Sequence, residues 1–244
     1  MGPCWWTCGT SSRFRLGSVR PGSPRSNGRF MADGWDVLRP EQREIAAVFF
    51  GLRESEGFVL VGGAALLALG LSDRPTQDVD FFTDDQNRVR IAATALIEAT
   101  RIRGWAGEVV RDTESFQRLR LSKFDIVLAV DLATDTAAVR PLIQSRLGPT
   151  FHPLEHAARK ALALFDRAAE RDYVDLHQLA RTIDKAAILT LAATLDLGFD
   201  HVVFAEMLRA IKRFSDEDLP CDASTATAVR TFASQWADEL DPRS

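Results

Sequence analysis

The stretch FVLVGGAALLALGLSDRPTQDVDFF, residues 58–82, predicts a strand, a helix and a second strand around a pair of glycines. FVLVGG is typical of a short buried strand, and AALLALG of a helix that begins directly on the glycine pair and ends at Gly70. Because Gly62 and Gly63 lack side chains, their backbone N–H groups can approach an anion, and the positive end of the helix dipole favours phosphate there. Glycine pairs also end strands for purely steric reasons, so this turn indicates a phosphate site only in combination with other features.

Two carboxylates follow in the second strand, DVDFF. Side chains alternate along a strand, so Asp78 and Asp80 project from one face while Val79 packs on the other. Like charges this close are costly unless they are neutralised, and Mg²⁺ held by one or two carboxylates together with substrate phosphates is the usual solution. Asp-x-Asp alone also occurs on acidic surface strands. Its order after the glycine pair, a helix and Arg-Pro-Thr at 74–76 argues against that interpretation and favours a site for a divalent ion with substrate phosphates.

A third carboxylate is expected on a neighbouring strand, because two-metal phosphoryl transfer needs a ligand or a base near the attacking hydroxyl. The run FDIVLAVDLA, Phe124–Ala133, is the most strand-like of the sequence and carries Asp131 near its end. Asp125 shares that face by a period of two but lies near the opposite end of the strand. Asp131 is therefore the candidate, with an ordinary residue of a strand-ending turn as the alternative.

A basic stripe is predicted in the helical region that follows. Lys160, Leu164, Arg167, Arg171 and Asp175 share one face of an ideal helix. One straight helix would set the first and last of them about 22 Å apart, at roughly 1.5 Å per residue. They can serve one small site only if the helix breaks between them. The alternative is a solvated face linked by salt bridges.

The rest of the chain divides into a core that contains a sheet and a helical part. Strand signals fade after Pro141, and helical periodicity then dominates to the end. We therefore predict an α/β core over residues 33–145 and a helical C-terminal lobe over residues 146–244. The core elements predicted outside the stretches quoted above are a helix over Pro40–Glu54, a helix over 86–103, and strands near Glu108–Val110 and Phe116–Leu121.

Residues 1–32 differ from the rest in composition. They are rich in Gly, Ser, Pro and Arg, contain five arginines and no Asp or Glu, and have no sustained period. We expect this basic tail to be disordered. Two interpretations stay open: a basic arm for RNA, and a dispensable segment upstream of a start at Met31.

The formal net charge of −4 conceals this basic tail, because the remaining chain has 25 basic and 34 acidic residues, a charge of about −9. Nucleic-acid binders usually have a basic face, so an acidic body argues against extended nucleic-acid contact. It leaves room for a short nucleic-acid end held by a local basic cluster.

A cytoplasmic protein without membrane contact is expected. No stretch approaches the roughly 18–20 apolar residues that cross a bilayer, and the N-terminus lacks the apolar core of a secretory signal. Cys4, Cys8 and Cys221 are an odd and widely separated set. They predict neither a disulfide framework nor a zinc site.

Two segments, VGGAALLALGLSDRPTQDVDFF and KALALFDRAAERDYVDL, resemble the AbiEii/MenT family of nucleotidyltransferases, which are toxins of bacterial toxin–antitoxin pairs. The similarity covers roughly residues 58–180. It implies an α+β fold with a polymerase β-like mixed-sheet core and a C-terminal helical lobe. The family's variant with serine after the first glycine is absent, so no role of such a serine is carried over. The matching positions are Gly62, Gly63, Asp78, Asp80, Lys160, Arg171, Asp172 and Asp175.

The resemblance also implies roles and partners. Asp78 and Asp80 would bind Mg²⁺, or Mn²⁺ in its place, with Asp131 as the third metal-binding carboxylate predicted above. Characterised members of the family add nucleotides to the 3′ end of tRNA, or are suggested to, which stops translation. The expected partners are the tRNA acceptor end and a cognate antitoxin, and the substrate is a nucleoside triphosphate. The other predicted site residues are Lys160 and Asp175 as catalytic groups, and Gly62, Gly63, Arg74, Thr76, Arg167 and Arg171 around the nucleotide.

Two other functions compete with this one. Nucleotidyltransferases that modify aminoglycosides share Gly-Gly and Asp-x-Asp, and an acidic body suits a cationic drug. The Arg-Asp-x-x-Asp-Leu segment after Lys160 favours the toxin-like family instead. The other competitor is a nucleotide-binding protein that has lost catalysis, although every expected ligand is present. His152 and His156 could form a metal pair, but without an Asp or Cys partner in a recognisable motif they are better interpreted as residues at the start of a helix.

Overall fold

The computed structural model describes residues 37–241, so the basic tail over residues 1–32 lies outside the described part. Within that part a seven-stranded mixed sheet has the order β3-β4-β5-β2-β1-β7-β6. The β2–β5 and β1–β7 pairs are parallel, and the other neighbours are antiparallel. The strands are β1 Val59–Val61, β2 Asp78–Thr83, β3 Ala106–Asp112, β4 Phe116–Lys123, β5 Ile126–Thr134, β6 Ile143–Gln144 and β7 Pro149–Thr150.

The helices flank the sheet in the first part of the sequence and form a separate layer in the second. No helix among residues 37–241 combines the length and the apolar composition needed to cross a bilayer. The helices are α1 Pro40–Phe50, α2 Gly62–Ala68, α3 Gln86–Arg101, α4 Pro153–Arg167, α5 Glu170–Ala180, α6 Lys185–Leu195, α7 His201–Arg209 and α8 Ala223–Leu240, with 3₁₀ turns at Arg53–Ser55 and Ala210–Arg213.

One face of the sheet is covered by α1 and α3. The side chains of β2 alternate, so Val79 and Phe81 are fully buried on this face, as are Leu128 and Val130 of β5. Phe49 of α1 stacks on Phe81 with 3.9 Å between the ring centroids. This burial fixes which face of β2 the remaining side chains must use.

The helical layer has its own apolar core. Its largest members include Trp236 of α8, Tyr173 of α5 and Phe204 of α7, all fully buried. Leu66 of α2 belongs to the same cluster, so the helix that follows the glycine pair joins the sheet to the helical layer. The predicted α+β fold, a mixed sheet followed by a helical region, is confirmed.

Three details of the predicted elements were wrong. The first helix ends at Phe50 instead of residue 54, and the predicted strand over 124–133 begins only at Ile126. Phe124 instead has φ +55° in the turn that joins β4 to β5. The strands β6 and β7 were missed, because two residues each are too short to produce a periodic pattern.

Candidate active site

The turn between β1 and α2 lies directly against the second carboxylate of β2. Gly62 has φ +67°, a conformation that glycine adopts without steric cost. A Cβ atom at this position would lie 2.0 Å from Oδ2 of Asp80. At Gly63 a Cβ atom would lie 2.9 Å from Cβ and Oγ1 of Thr76. The glycine pair therefore allows the backbone of this turn to approach β2 closely.

Asp78 and Asp80 lie on the face of the sheet opposite α1 and α3. Their register partners on β5 are Ala129 and Asp131, so three carboxylates belong to two adjacent strands. Oγ1 of Thr76 donates a hydrogen bond of 2.5 Å to Oδ1 of Asp78. This bond orients the first carboxylate of the pair.

The surroundings of Asp80 disfavour its negative charge. Burial, together with the nearby charges of Asp78 and Asp131, raises the pKa of Asp80 to about 7. The opposite effects of Lys160 and Arg171 are smaller. A divalent cation would remove this repulsion, and oxygen donors are the ligands that Mg²⁺ and Mn²⁺ prefer. The chemistry of Asp78 and Asp80 therefore fits such an ion, with substrate phosphates as its further ligands. No group of three or more His, Cys, Asp or Glu side chains within residues 37–241 is arranged to hold a metal by itself.

Asp131 carries a bidentate ion pair. Arg118, its register partner on β4, donates from Nε and Nη2 at 2.7 and 2.6 Å to the two carboxylate oxygens. The hydrogen bonds to Asp131 raise the pKa of the Arg118 guanidinium. The predicted third carboxylate therefore lies beside Asp80 with its charge already compensated.

The predicted pair Lys160 and Asp175 comes together because the helix breaks. Helix α4 ends at Arg167, the next residue Ala168 has φ +44°, and α5 folds back against α4. The Nζ atom of Lys160 lies 2.7 Å from Oδ2 of Asp175 and 3.3 Å from Oδ1 of Asp172. Both carboxylates are fully buried, so this lysine has a fixed position at the wall of the cleft.

Arg74 completes the buried charge cluster from the segment before β2. Its Nε and Nη2 atoms donate to the two oxygens of Asp175 at 2.7 and 3.0 Å. Burial opposes the charge of Asp175, but Lys160 and Arg74 outweigh it and hold the pKa of Asp175 below its ordinary value. Asp175 therefore joins the segment before β2 to the helical layer, and it orients Lys160.

Two further arginines border this cluster. Arg167 donates to Asp172 from Nε at 2.9 Å and from Nη2 at 3.2 Å, and its side chain is 51% exposed. The Nη1 atom of Arg171 lies 3.8 Å from Oδ2 of Asp78. Since Arg171 comes from α5 and Asp78 from β2, this contact spans the space between the helical layer and the sheet.

These groups enclose a cleft of about 720 Å³. One wall is the open face of the sheet with the glycine turn, and the other consists of α4 and the start of α5. Of the predicted site residues, Asp175 is buried behind this wall, and the others line the cleft directly. These are Gly62, Gly63, Arg74, Thr76, Asp78, Asp80, Asp131, Lys160, Arg167 and Arg171.

Several residues that line the cleft were not assigned to the site from the sequence, and His156 was interpreted only as a residue at the start of a helix. Arg111, Phe116 and Arg118 come from strands whose pairing the sequence does not specify, and Arg159 and His156 come from α4. The Nε2 atom of His156 lies 2.8 Å from Oγ1 of Thr150, which donates to the carbonyl of Leu60. Burial and the nearby cations lower the pKa of His156 to about 3, so the ring is neutral. His152, which was considered with His156 as a possible metal pair, caps the start of α4.

The cleft has an acidic wall that suits divalent ions and a basic wall that suits phosphates, with a glycine turn beside them. This arrangement matches the requirements of phosphoryl transfer from a nucleoside triphosphate. The fold and this site define a nucleotidyltransferase.

Comparisons with known proteins specify the family. The sequence model described as nucleotidyl transferase AbiEii toxin, type IV TA system, matches residues 51–242, and the chain belongs to this family of nucleotidyltransferase toxins. None of the curated proteins matches the sequence.

Two solved structures share the fold. The nucleotidyltransferase toxin MenT4 from Mycobacterium tuberculosis H37Rv has 21% sequence identity and a TM-score of 0.61, with 86% of this chain and 87% of that chain covered. JHP933 from Helicobacter pylori has 19% identity and a TM-score of 0.51, with 87% and 95% covered. At these identities the two structures support the fold alone.

Proposed function

We propose that this toxin transfers a nucleoside monophosphate from a nucleoside triphosphate to the 3′ end of tRNA in the cytoplasm, and that it blocks translation in this way until a cognate antitoxin neutralises it. The observation that carries the proposal is the opposition of Asp78 and Asp80 on the sheet to Lys160 on α4, across a cleft of about 720 Å³. A volume of this size is in the range of small-molecule sites. The lysine and arginine side chains of the cleft can pair with substrate phosphates, and its aspartates can bind divalent ions.

The triphosphate would lie between the glycine turn and the basic wall. A lysine ammonium has three N–H donors. Asp172 and Asp175 are within 3.3 Å and 2.7 Å of Nζ of Lys160, which leaves one N–H for a phosphate oxygen. Arg171 and the half-exposed Arg167 supply further positive charge nearby. Because Gly62 has no side chain, a phosphate can approach its backbone closely.

Asp78 and Asp80 would hold Mg²⁺, or Mn²⁺ in its place. Bound there, the ion supplies charge neutralisation for the triphosphate and for the pyrophosphate that leaves. The carboxylates themselves fix its position, since Thr76 orients Asp78 and the turn at Gly62 borders Asp80. Asp131 could join them through the carboxylate lone pairs that its bidentate pair with Arg118 leaves free.

The reaction forms one bond and breaks one bond. The acceptor 3′ hydroxyl oxygen attacks the α-phosphorus in line, the bond from that phosphorus to the β-phosphate bridging oxygen breaks, and pyrophosphate leaves. The hydroxyl proton goes to a base, for which Asp131 or solvent is available. Alignment of the two reactants in the cleft accounts for much of the expected rate enhancement.

The test is incubation of the purified full chain with each α-labelled nucleoside triphosphate, Mg²⁺ and total tRNA. We expect labelled tRNA with one preferred nucleotide, and no label with the Asp80→Asn variant. A parallel reaction contains an aminoglycoside in place of tRNA. Label on the aminoglycoside alone would refute the proposed acceptor, and no transfer to any acceptor would favour a silent nucleotide-binding protein. Growth arrest on expression of the protein that coexpression of a cognate antitoxin relieves would support the toxin role.

A further inference from the structure

The cleft extends along the sheet beyond the acidic strands. Phe116 and Arg118 of β4 and Arg111 of β3 line it, on the flank of β5 that faces away from the glycine turn. Their register runs continuously from the site, because Arg118 is opposite Asp131 and Phe116 is opposite Ala133. We call Arg111, Phe116 and Arg118 the acceptor platform.

A β-bulge brings Arg111 to this face. The β3–β4 register shifts between Val109 and Arg111, so that Arg111 and not Val110 is opposite Arg118. Bulges of this kind redirect side chains and are common beside active sites. Without the extra residue, an exposed valine would occupy the place of the guanidinium at the cleft.

Two cations lie close to one aromatic ring in the platform. The guanidinium carbon of Arg111 lies 5.2 Å from the ring centroid of Phe116, and that of Arg118 lies 5.9 Å from it. Arg111 is exposed and has no carboxylate partner within residues 37–241. Arg118 uses one edge of its guanidinium for Asp131. The surface therefore offers a partly exposed ring with two positive charges close to it.

The position of the platform matches the direction from which an acceptor must arrive. In-line displacement requires the attacking hydroxyl and the leaving pyrophosphate on opposite sides of the α-phosphorus. The glycine turn follows β1, on one side of the Asp78 and Asp80 strand, and the platform lies past β5 on the other side. If the triphosphate occupies the turn and the basic wall, the acceptor enters over β4 and β3.

We infer that Arg111, Phe116 and Arg118 bind the single-stranded 3′ end of an RNA acceptor, an inference that rests on the proposed nucleotidyl transfer. A terminal base stacks on Phe116, and the two arginines contact backbone phosphates or stack on the neighbouring base. Two guanidinium groups repel a cationic acceptor such as an aminoglycoside. Stacking and phosphate contacts carry little base information, so the platform accepts ends of different sequence.

The experiment compares three variants of the full chain with a matched control. Phe116→Leu removes the aromatic ring but keeps an apolar side chain, Phe116→Trp keeps the ring, and Arg111→Gln removes one charge. Arg120→Gln is the control, because Arg120 lies on the same strand and face, 57% exposed and paired with Glu108, outside the cleft. The probe is a 12-nucleotide single-stranded RNA that ends in CCA, with Kd measured without nucleotide and KM measured in transfer.

Loss of one stacked base or one phosphate contact weakens RNA binding by about tenfold, which corresponds to about 1.4 kcal/mol. We expect Phe116→Leu and Arg111→Gln to raise Kd and KM for RNA by about that factor, with KM for the nucleotide changed less than about twofold. Phe116→Trp should bind RNA as the wild type does. Arg111→Gln should also reduce the logarithmic salt dependence of binding by about 0.7.

The outcomes distinguish a failure of the acceptor platform from a failure of the proposed nucleotidyl transfer. If the wild type labels RNA but Phe116→Leu and Arg111→Gln bind it as Arg120→Gln does, the platform is wrong and the proposed transfer stands. If Phe116→Trp is as weak as Phe116→Leu at unchanged melting temperatures, the ring does not stack on a base. If the wild type neither binds nor labels RNA, the proposed acceptor and the platform both fail.

Discussion

The ammonium nitrogen of Lys160 lies 2.7 Å from Oδ2 of Asp175, although the two residues are fifteen positions apart. In one straight helix about 22 Å would separate them, at roughly 1.5 Å per residue. The left-handed backbone at Ala168 ends α4 and turns α5 back over it. A guanidinium nitrogen of Arg213 donates to the carbonyls of Arg167 and Ala168, which satisfies backbone groups at this break.

Substitution of Lys160 and substitution of Asp175 should have different effects on stability. Lys160→Ala should reduce transfer by orders of magnitude with a small change in melting temperature, because Asp175 keeps Arg74 as its partner. Asp175→Ala should also reduce transfer, and it should destabilise the fold by about 3–5 kcal/mol because it leaves Arg74 buried without its counter-charge. Transfer assays and urea unfolding measure the two effects. Arg101→Ala, which breaks an exposed pair with Glu98, is the control. Full transfer in both site variants would exclude the helical wall from the reaction.

Ala168 gives a separate test of the break between the helices. A β-branched residue at φ +44° is strongly disfavoured, whereas glycine is permitted. Ala168→Val should therefore reduce transfer and lower the melting temperature by several degrees, since about 1 kcal/mol shifts it by roughly 2–4 °C in a domain of this size. Ala168→Gly should keep transfer within about twofold of the wild type. Equal transfer by the valine and glycine variants would mean that this backbone conformation does not control the position of Lys160.

Asp80→Ala should abolish transfer and leave the fold intact. The variant loses one predicted metal ligand, but it also removes a carboxylate whose charge is disfavoured by burial and by Asp78 and Asp131. The melting temperature should therefore stay the same or rise. Activity and melting temperature should be measured on the same preparation, with Asp125→Ala as a control in the exposed β4–β5 turn. Retained transfer would contradict the central role of the acidic pair.

The features that sequence could predict are local ones. Asp78 and Asp80 are two residues apart in a strand, so their common face follows from the alternation of side chains. The glycine turn precedes them in the same supersecondary unit. The Lys160–Asp175 contact could be stated only on the condition that the helix breaks, because alanine at position 168 carries no helix-breaking signal.

The features that sequence could not predict depend on strand pairing. The ion pair of Arg118 with Asp131 requires the β4–β5 register, and the position of Arg111 requires a bulge in β3. Nothing in the exposed run around Val110 marks which residue is the extra one. Hydrophobic periodicity also assigns no partner to a charged side chain, so the compensation of Asp131 was not foreseen.

The basic tail should be dispensable for the choice of substrates. A protein that begins at Met31 should keep the same nucleotide and acceptor, because the cleft is built from residues after position 58. The RNA affinity of the full chain and of the form that begins at Met31 should be measured at several salt concentrations. Each phosphate neutralised on a single strand contributes about 0.7 to the logarithmic slope. Equal slopes would mark residues 1–30 as dispensable, whereas a shallower slope with lost transfer in the short form would contradict the prediction.

The glycine turn can be tested with a control that has the same backbone strain. Gly62 and Gly70 both have φ +67°, so alanine at either position adopts the left-handed conformation at a cost of about 1–2 kcal/mol. The added Cβ atom would lie 2.0 Å from Oδ2 of Asp80 at Gly62, and it has open space within 4 Å at Gly70. Gly62→Ala should therefore displace the carboxylate and abolish transfer, while Gly70→Ala should lower the melting temperature and keep transfer. Since strain is common to both variants, a difference in activity reports the steric contact with Asp80. Equal activity would mean that the close approach of this turn to Asp80 has no part in catalysis.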